Sequence, residues 1–266
     1  MVSEYLKHSR SLEELDEVIE KNRAAAALVA RAVLDTNIVY VVTQIDKACE
    51  ISLARIISES EISVARITAN AEIAAARLGA QSELIRAEVE KLGNTQTSAD
   101  QFEIAIDMIS ESSRRHTKNV AKESKQAIEQ IQRDTDDAIA RLRRQAEDSV
   151  AEIKNLRTES DEKIAETAKL ALKKLLAGKS RKRTHKETSD NADEAAGQIL
   201  SHAETCLEEL KAKGDWAIER IDTSTTDAHH RIKSSCDSAM VRIEAARDEA
   251  IKQLQATLEG ALARFR

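Results

Sequence analysis

Large apolar residues recur every eleven positions along almost the whole chain. From Ile45 the steps land on Ile56, Ile67, Leu78 and Val89. A second series runs Ile109, Val120, Ile131, Leu142, Ile153, Ile164 and Leu175. A third runs Ile199, Leu210, Ile221, Ile232, Ile243, Leu254 and Phe265. Every position in the three series is large and apolar in a chain that is 33% charged, so the period is a design rule and not an accident of composition.

The three series are out of phase. From Val89 to Ile109 is 20 residues, and from Leu175 to Ile199 is 24, so neither gap is two elevens. Both gaps have the composition of a break. In the first, Gly93-Asn94 suits a helix C-cap, and Ser98 followed by Gln101 has capping-box spacing. The second, "GKSRKRTHKETSDN", is rich in Lys, Arg, Ser and Thr, and Asn191 with Glu194 is an N-terminal signal. Ser11 with Glu14 gives another near the front.

The expectation is therefore an all-α protein of three long helices, roughly 11–92, 98–177 and 191–266. The N-terminal segment is 1–92, a turn occupies 93–97, and a basic polar loop covers 178–190. Each helix would be on the order of 110–125 Å long at ~1.5 Å per residue. The helices either fold back as long hairpins or run on as one rod, and the cap signals favour turns.

Eleven residues in three turns is about 3.67 per turn, slightly more than the ~3.6 of an undistorted helix. A seam with that period drifts in the sense opposite to a heptad seam, giving nearly straight helices or a gentle right-handed supercoil. The unit is visible in "AIEQIQRDTDD" and "AIARLRRQAED" of the second helix, "AIERIDTSTTD" and "AMVRIEAARDE" of the third, and "SLARIISESEI" of the first. Small residues form their own column at Ala217, Ala228, Ala239, Ala250 and Ala261, which lets backbones approach closely. The pattern resembles right-handed hendecad coiled coils, such as the stalks of some archaeal surface-layer proteins. That resemblance covers nearly the whole chain and implies a helix geometry, not a role.

The first helix carries a further apolar column, Ile51, Ile62, Ile73 and Leu84, about 130° around the helix from Ile56, Ile67 and Leu78. A helix with two apolar faces needs neighbours on both. The expected assembly core is these seven residues with Ile131, Leu142, Ile153, Ile221, Ile232 and Ile243. Arg precedes a core residue at Arg55, Arg66, Arg77, Arg141, Arg220, Arg231 and Arg242, and acids such as Asp136, Glu147, Asp237 and Asp248 lie on the opposite shoulder. Such flanks set register between helices or are simply solvated.

Composition narrows the choices. There is no Pro, Gly numbers 6, and aromatics are 2%. This is the profile of long helices with an Ile/Leu/Val/Ala core. A net charge of −6 points to neither nucleic acid nor an acidic tail. Cys49, Cys206 and Cys236 are an odd set, far apart, which fits reduced thiols in a cytosol. The opening "MVSEYLKHSR" has no signal-peptide core. The most apolar stretch, Ala24 to Val42, is interrupted by Arg31, Asp35 and Asn37 and reads as a helix buried on more than one side.

Little chemistry is indicated. "LLAGKS" lacks the first Gly and the preceding strand of a phosphate loop. The basic residues Lys179, Arg181, Lys182 and Arg183 are a candidate partner loop or a solvated one. His229 and Cys236, seven residues apart, suggest a polar layer that fixes register, since two ligands on one helix do not close a zinc site. No catalytic, cofactor or metal residues are expected. The expected function is a non-enzymatic, cytoplasmic structural protein that self-associates into a homo-oligomer, filament or tube, without nucleic acid. The alternatives are an amphipathic repeat lying on a membrane surface, and an adapter using the basic loop.

Overall fold

A computed structural model of the chain describes residues 2–92, 95–177 and 182–263. Side chains are described over 27–88 and 100–160, at scattered positions over 162–173, and over 193–263 apart from 195, 261 and 262. All three described segments are helix: α1 Val2–Leu92, α2 Thr95–Ala177 and α3 Lys182–Ala263. Ala, Leu, Glu, Lys and Arg supply strong helix propensity, and no Pro interrupts it.

The helix bounds correct three sequence expectations. α1 begins at Val2, so Ser11 and Glu14 lie inside a helix and do not start one. α2 begins at Thr95, three residues before the expected Ser98. α3 begins at Lys182, so 182–190 is helix and the expected loop 178–190 is shorter. Lys182–Asp190 contains neither Gly nor Pro, and a charge-rich segment that reads as loop is equally suited to a solvated helix. Gly93, Asn94, Lys179 and Arg181 lie outside the described residues.

The chain divides into two compact units, each built from a segment of all three helices. One comprises Met1–Glu50 with Ile139–Glu219, and the other Ile51–Ala138 with Arg220–Arg266. Parts of α1, α2 and α3 therefore pack side by side in each unit, as hairpins require and a single extended rod does not. In the first unit α1 and α3 run parallel: Asp35 meets His202, Asp46 meets Lys213, and the Cys49 thiol donates to the Ala217 carbonyl. In the second, Arg55–Asp134 and Asn70–Glu123 align α2 antiparallel to α1. Thr68–Ser235 and Ser82–Ala250 align α3 parallel to it.

The core follows the eleven-residue series. Counting each ladder residue as zero, the buried positions recur at zero, plus four and plus seven. On α1 these are Ile56, Ser60, Ile67, Ala71, Ala74, Leu78 and Ser82. On α3 they are Ile221, Thr225, Ala228, Ile232, Cys236, Ala239 and Ile243. The zero position is always large; the other two are mostly Ala, Ser, Thr or Cys. One large and two small residues per repeat let three helices approach closely while the Ile and Leu side chains fill the axis. Burying each large side chain contributes about 1.5–3 kcal/mol. Of the ladder residues, Ile56, Ile67, Leu78, Ile131, Leu142, Ile153, Ile221, Ile232 and Ile243 are all buried.

Candidate assembly surface

The second apolar column of α1 is not covered by the chain's own helices. Ile51, Ile62, Ile73 and Leu84 are 69%, 56%, 49% and 67% exposed. α2 and α3 therefore leave this second apolar face of α1 open. Three helices around one axis share one seam, and a column about 130° away from that seam faces outward. Ala54, Ala65, Ala76 and Ala87 beside it are exposed as well. Shallow grooves flank the column in this unit. One, against α2, is lined by Ile62, Arg66, Glu123 and Gln130; the other, against α3, by Val64, Thr68, His230 and Ser234.

The described part of the apolar stretch Ala24 to Val42, from Ala27 on, is also buried on one side, not on several. Leu34, Ile38 and Val41 are in the core, while Leu28, Val29, Val33, Val39 and Tyr40 are exposed. α1 holds the most apolar helical window of the described chain, within Ala27–Glu88, with a mean hydropathy of 1.3 and 22% of it buried. α2 and α3 expose fewer large apolar residues among those described, chiefly Ile104, Met108, Leu170, Trp216 and Val241.

The charged shoulders form cross-helix pairs, with partners that sequence spacing alone does not supply. Arg55 pairs across to Asp134 of α2 at 3.0 Å, and along α1 it also pairs with Glu59, four residues on, at 2.9 Å. Hydrogen bonding to Glu59 and the Asp134 charge raise its pKa further. Arg242 donates to Glu72 at 2.8 Å. Both arginines are about half exposed, so each pair contributes little stability.

Polar contacts inside the seam were partly invisible in the sequence. The Thr135 and Thr225 hydroxyls are 2.6 Å apart and fully buried, a cross-helix contact at matching plus-four positions. Cys236 is buried, and His229 is half-buried with Nε2 lacking a hydrogen-bond partner among the described residues. His116 sits at a plus-seven position of α2. Burial, then Arg77 and Arg115, hold its pKa below the usual histidine value.

One rung between α1 and α3 differs from its counterparts. Asp35 Oδ1 lies 2.6 Å from His202 Nε2, and Cys206 Sγ lies 3.9 Å from the same nitrogen. Burial, then the charges of Asp35 and Glu209, push the Cys206 thiol pKa up. His202 and Cys206 are four apart on α3, a spacing that puts both on one face. That spacing is readable in "SHAETC"; the approach of Asp35 from another helix is not.

No family model and no curated protein matches the chain. It is similar in structure to a solved "Computationally designed three helix bundle", with a TM-score of 0.55 and 15% identity. The match covers 90% of this chain and 99% of that one. At that identity the likeness concerns the fold alone: an all-α, three-helix architecture.

Proposed function

We propose that this chain is a non-enzymatic structural protein that assembles with copies of itself. The observation that carries the reading is the exposed column Ile51, Ile62, Ile73 and Leu84, set at steps of eleven on a helix whose other face is buried. Regularly spaced apolar residues on an otherwise charged surface favour a helical partner with the same period. The zero, plus-four, plus-seven burial supports hendecad coiled-coil packing, near-straight or gently right-handed, within the chain and in the assembly. The buried thiols Cys49, Cys206 and Cys236, none of them in a disulfide, are consistent with a reducing, cytosolic setting. Size-exclusion chromatography with light scattering tests the proposal: it expects multiples of the chain mass, and a lone monomer at micromolar concentration rules it out.

A second reading rests on a separate observation, the exposed Leu28, Val29, Val39 and Tyr40 in the most apolar part of α1. These residues suit insertion into a lipid headgroup layer, with α1 lying on a membrane surface. Co-sedimentation with anionic vesicles supports that reading, and recovery of all the protein in the supernatant removes it.

A further inference from the structure

We propose that Asp35, His202 and Cys206 form a binding site for a thiophilic divalent cation, of which zinc is the best fit. The inference is independent of self-assembly. One ligand atom from each residue lies within 4.8 Å of the others: a carboxylate oxygen, an imidazole nitrogen and a sulfur. This donor set is the kind used for zinc, and three protein ligands leave a fourth position for water or another ligand.

The repeat argues against an ordinary salt bridge that happens to have a thiol nearby. Eleven residues on, the same rung is Asp46 with Lys213 at 2.7 Å, and the position after it is Ala217. That is a plain ion pair over an alanine. At the preceding rung the cation is replaced by His202 and the alanine by Cys206. In the following repeats the Cys206 column holds Ala228, Ala239 and Ala250. Thus the thiol occurs in this column, from Cys206 to Ala250, where the imidazole and carboxylate are also present. Two changes from the next rung have to coincide to make the site, and each replaces a non-ligand by a ligand.

The geometry needs a small adjustment. Tetrahedral zinc, with bonds of about 2.3 Å to sulfur and about 2.1 Å to nitrogen and oxygen, sets nitrogen and sulfur about 3.6 Å apart. His202 and Cys206 are already close to that, at 3.9 Å. The carboxylate oxygen must move from 2.6 Å to about 3.4 Å from the nitrogen. The Asp35 side chain is 55% exposed, so it has room to do so, while His202 at 17% is held more firmly. On binding, the Cys206 thiol loses its proton to solvent and a metal–thiolate bond forms. The Nε2–H that faces Asp35 is given up as well, so that the neutral imidazole carries its proton on Nδ1 and offers the Nε2 lone pair to the metal. Affinity therefore rises with pH.

Cobalt(II) is the probe, because thiolate coordination gives a charge-transfer band in the near ultraviolet and four-coordination gives strong visible bands. The full-length, reduced protein is titrated with cobalt chloride and then with zinc chloride. The expected result is saturation at one cobalt per chain, with zinc displacing it. Cys206→Ala and His202→Lys install residues that the chain itself uses in neighbouring repeats, so both variants should fold, which circular dichroism verifies. Each should weaken binding by about 100-fold or more, beyond the 10- to 100-fold typical of changes around a site. Cys206→Ala should also remove the charge-transfer band, whereas Cys236→Ala should leave spectrum and affinity unchanged. Absence of the band at millimolar cobalt overturns the proposal, as does its survival in folded Cys206→Ala.

Discussion

Replacing Ile62 and Ile73 by Glu separates assembly from folding. Full burial of an isoleucine contributes about 1.5–3 kcal/mol. These two are 56% and 49% exposed, so docking a partner recovers about 1 kcal/mol from each. Four such residues give about 4 kcal/mol per chain, and a symmetric pair about 8. Association itself costs about 4–15 kcal/mol, so the margin is narrow and the column decides the outcome. Removing two residues from each of two chains subtracts about 4 kcal/mol, or about 1,000-fold in dissociation constant. Carboxylates left in the apolar contact weaken it further. Folding should barely respond, because exposed substitutions usually change stability by about 0.5 kcal/mol or less. Sedimentation velocity over a concentration series, with urea unfolding of the same samples, reads both quantities. The expected result is a variant with unchanged helicity and urea midpoint, shifted to monomer. If wild type and variant sediment with the same mass at every concentration, the column is not the contact.

Other predictions concern the frame and its titratable groups. Ile232→Ala empties a fully buried ladder position and should destabilise the chain by about 2–5 kcal/mol, read as a lower urea midpoint. Gly214→Ala should stabilise by about 1 kcal/mol: the new Cβ meets Ala146 Cβ at 4.0 Å, ordinary contact, and Ala is the better helix former. A lower midpoint would mean that α2 and α3 are packed more tightly there. His116 has a depressed pKa in the folded chain, so the unfolded chain takes up its proton first as pH falls. Its contribution to stability is then fully present above the ordinary histidine value and is lost as pH drops from there through the folded pKa. His116→Gln should flatten the curve as pH falls through and below the ordinary histidine value of about 6.5, measured by urea unfolding, and an unchanged slope would refute the assignment.

The sequence carries most of the fold because the period is long and the composition uniform. Ladder residues such as Ile131 and Ile232 can be placed in the core without any contact information, since a large apolar residue every eleven positions has one consistent face. Helix ends were harder to place. Ser11–Glu14 and Ser98–Gln101 have capping spacing, yet both lie within helices. Capping boxes are local and cheap, and neighbouring turns that are already helical override them. Lys182–Asp190 failed for the related reason that charge and Ser/Thr content do not separate a loop from a solvated helix. The number of covered faces was not legible either. The Ile51 column shows that α1 is apolar twice around its circumference, but whether the second cover comes from the same chain depends on how many helices share the seam.

The Asp35 site was missed for a deeper reason. Periodicity identifies positions by what they have in common, and chemistry sits where one repeat departs from the rest. Rungs between α1 and α3 hold Asp46–Lys213 and Thr68–Ser235 in related geometry, one an ion pair and the other a hydroxyl pair. A backbone that repeats this regularly keeps the spacing nearly fixed and lets side chains vary, so each rung is a control for its neighbours. By that comparison, the departure at Asp35, His202 and Cys206 is a change of donor atoms and not of distance. The same comparison applies to His229, whose Nε2 lies buried without a partner among the described residues, while its counterpart eleven residues before is Ile218 and after is Met240. Apolar residues at both flanking positions make the histidine a local cost to the fold. His229→Met should therefore raise stability if the position has no role beyond packing. A loss of assembly in that variant would instead assign the imidazole to the contact between copies.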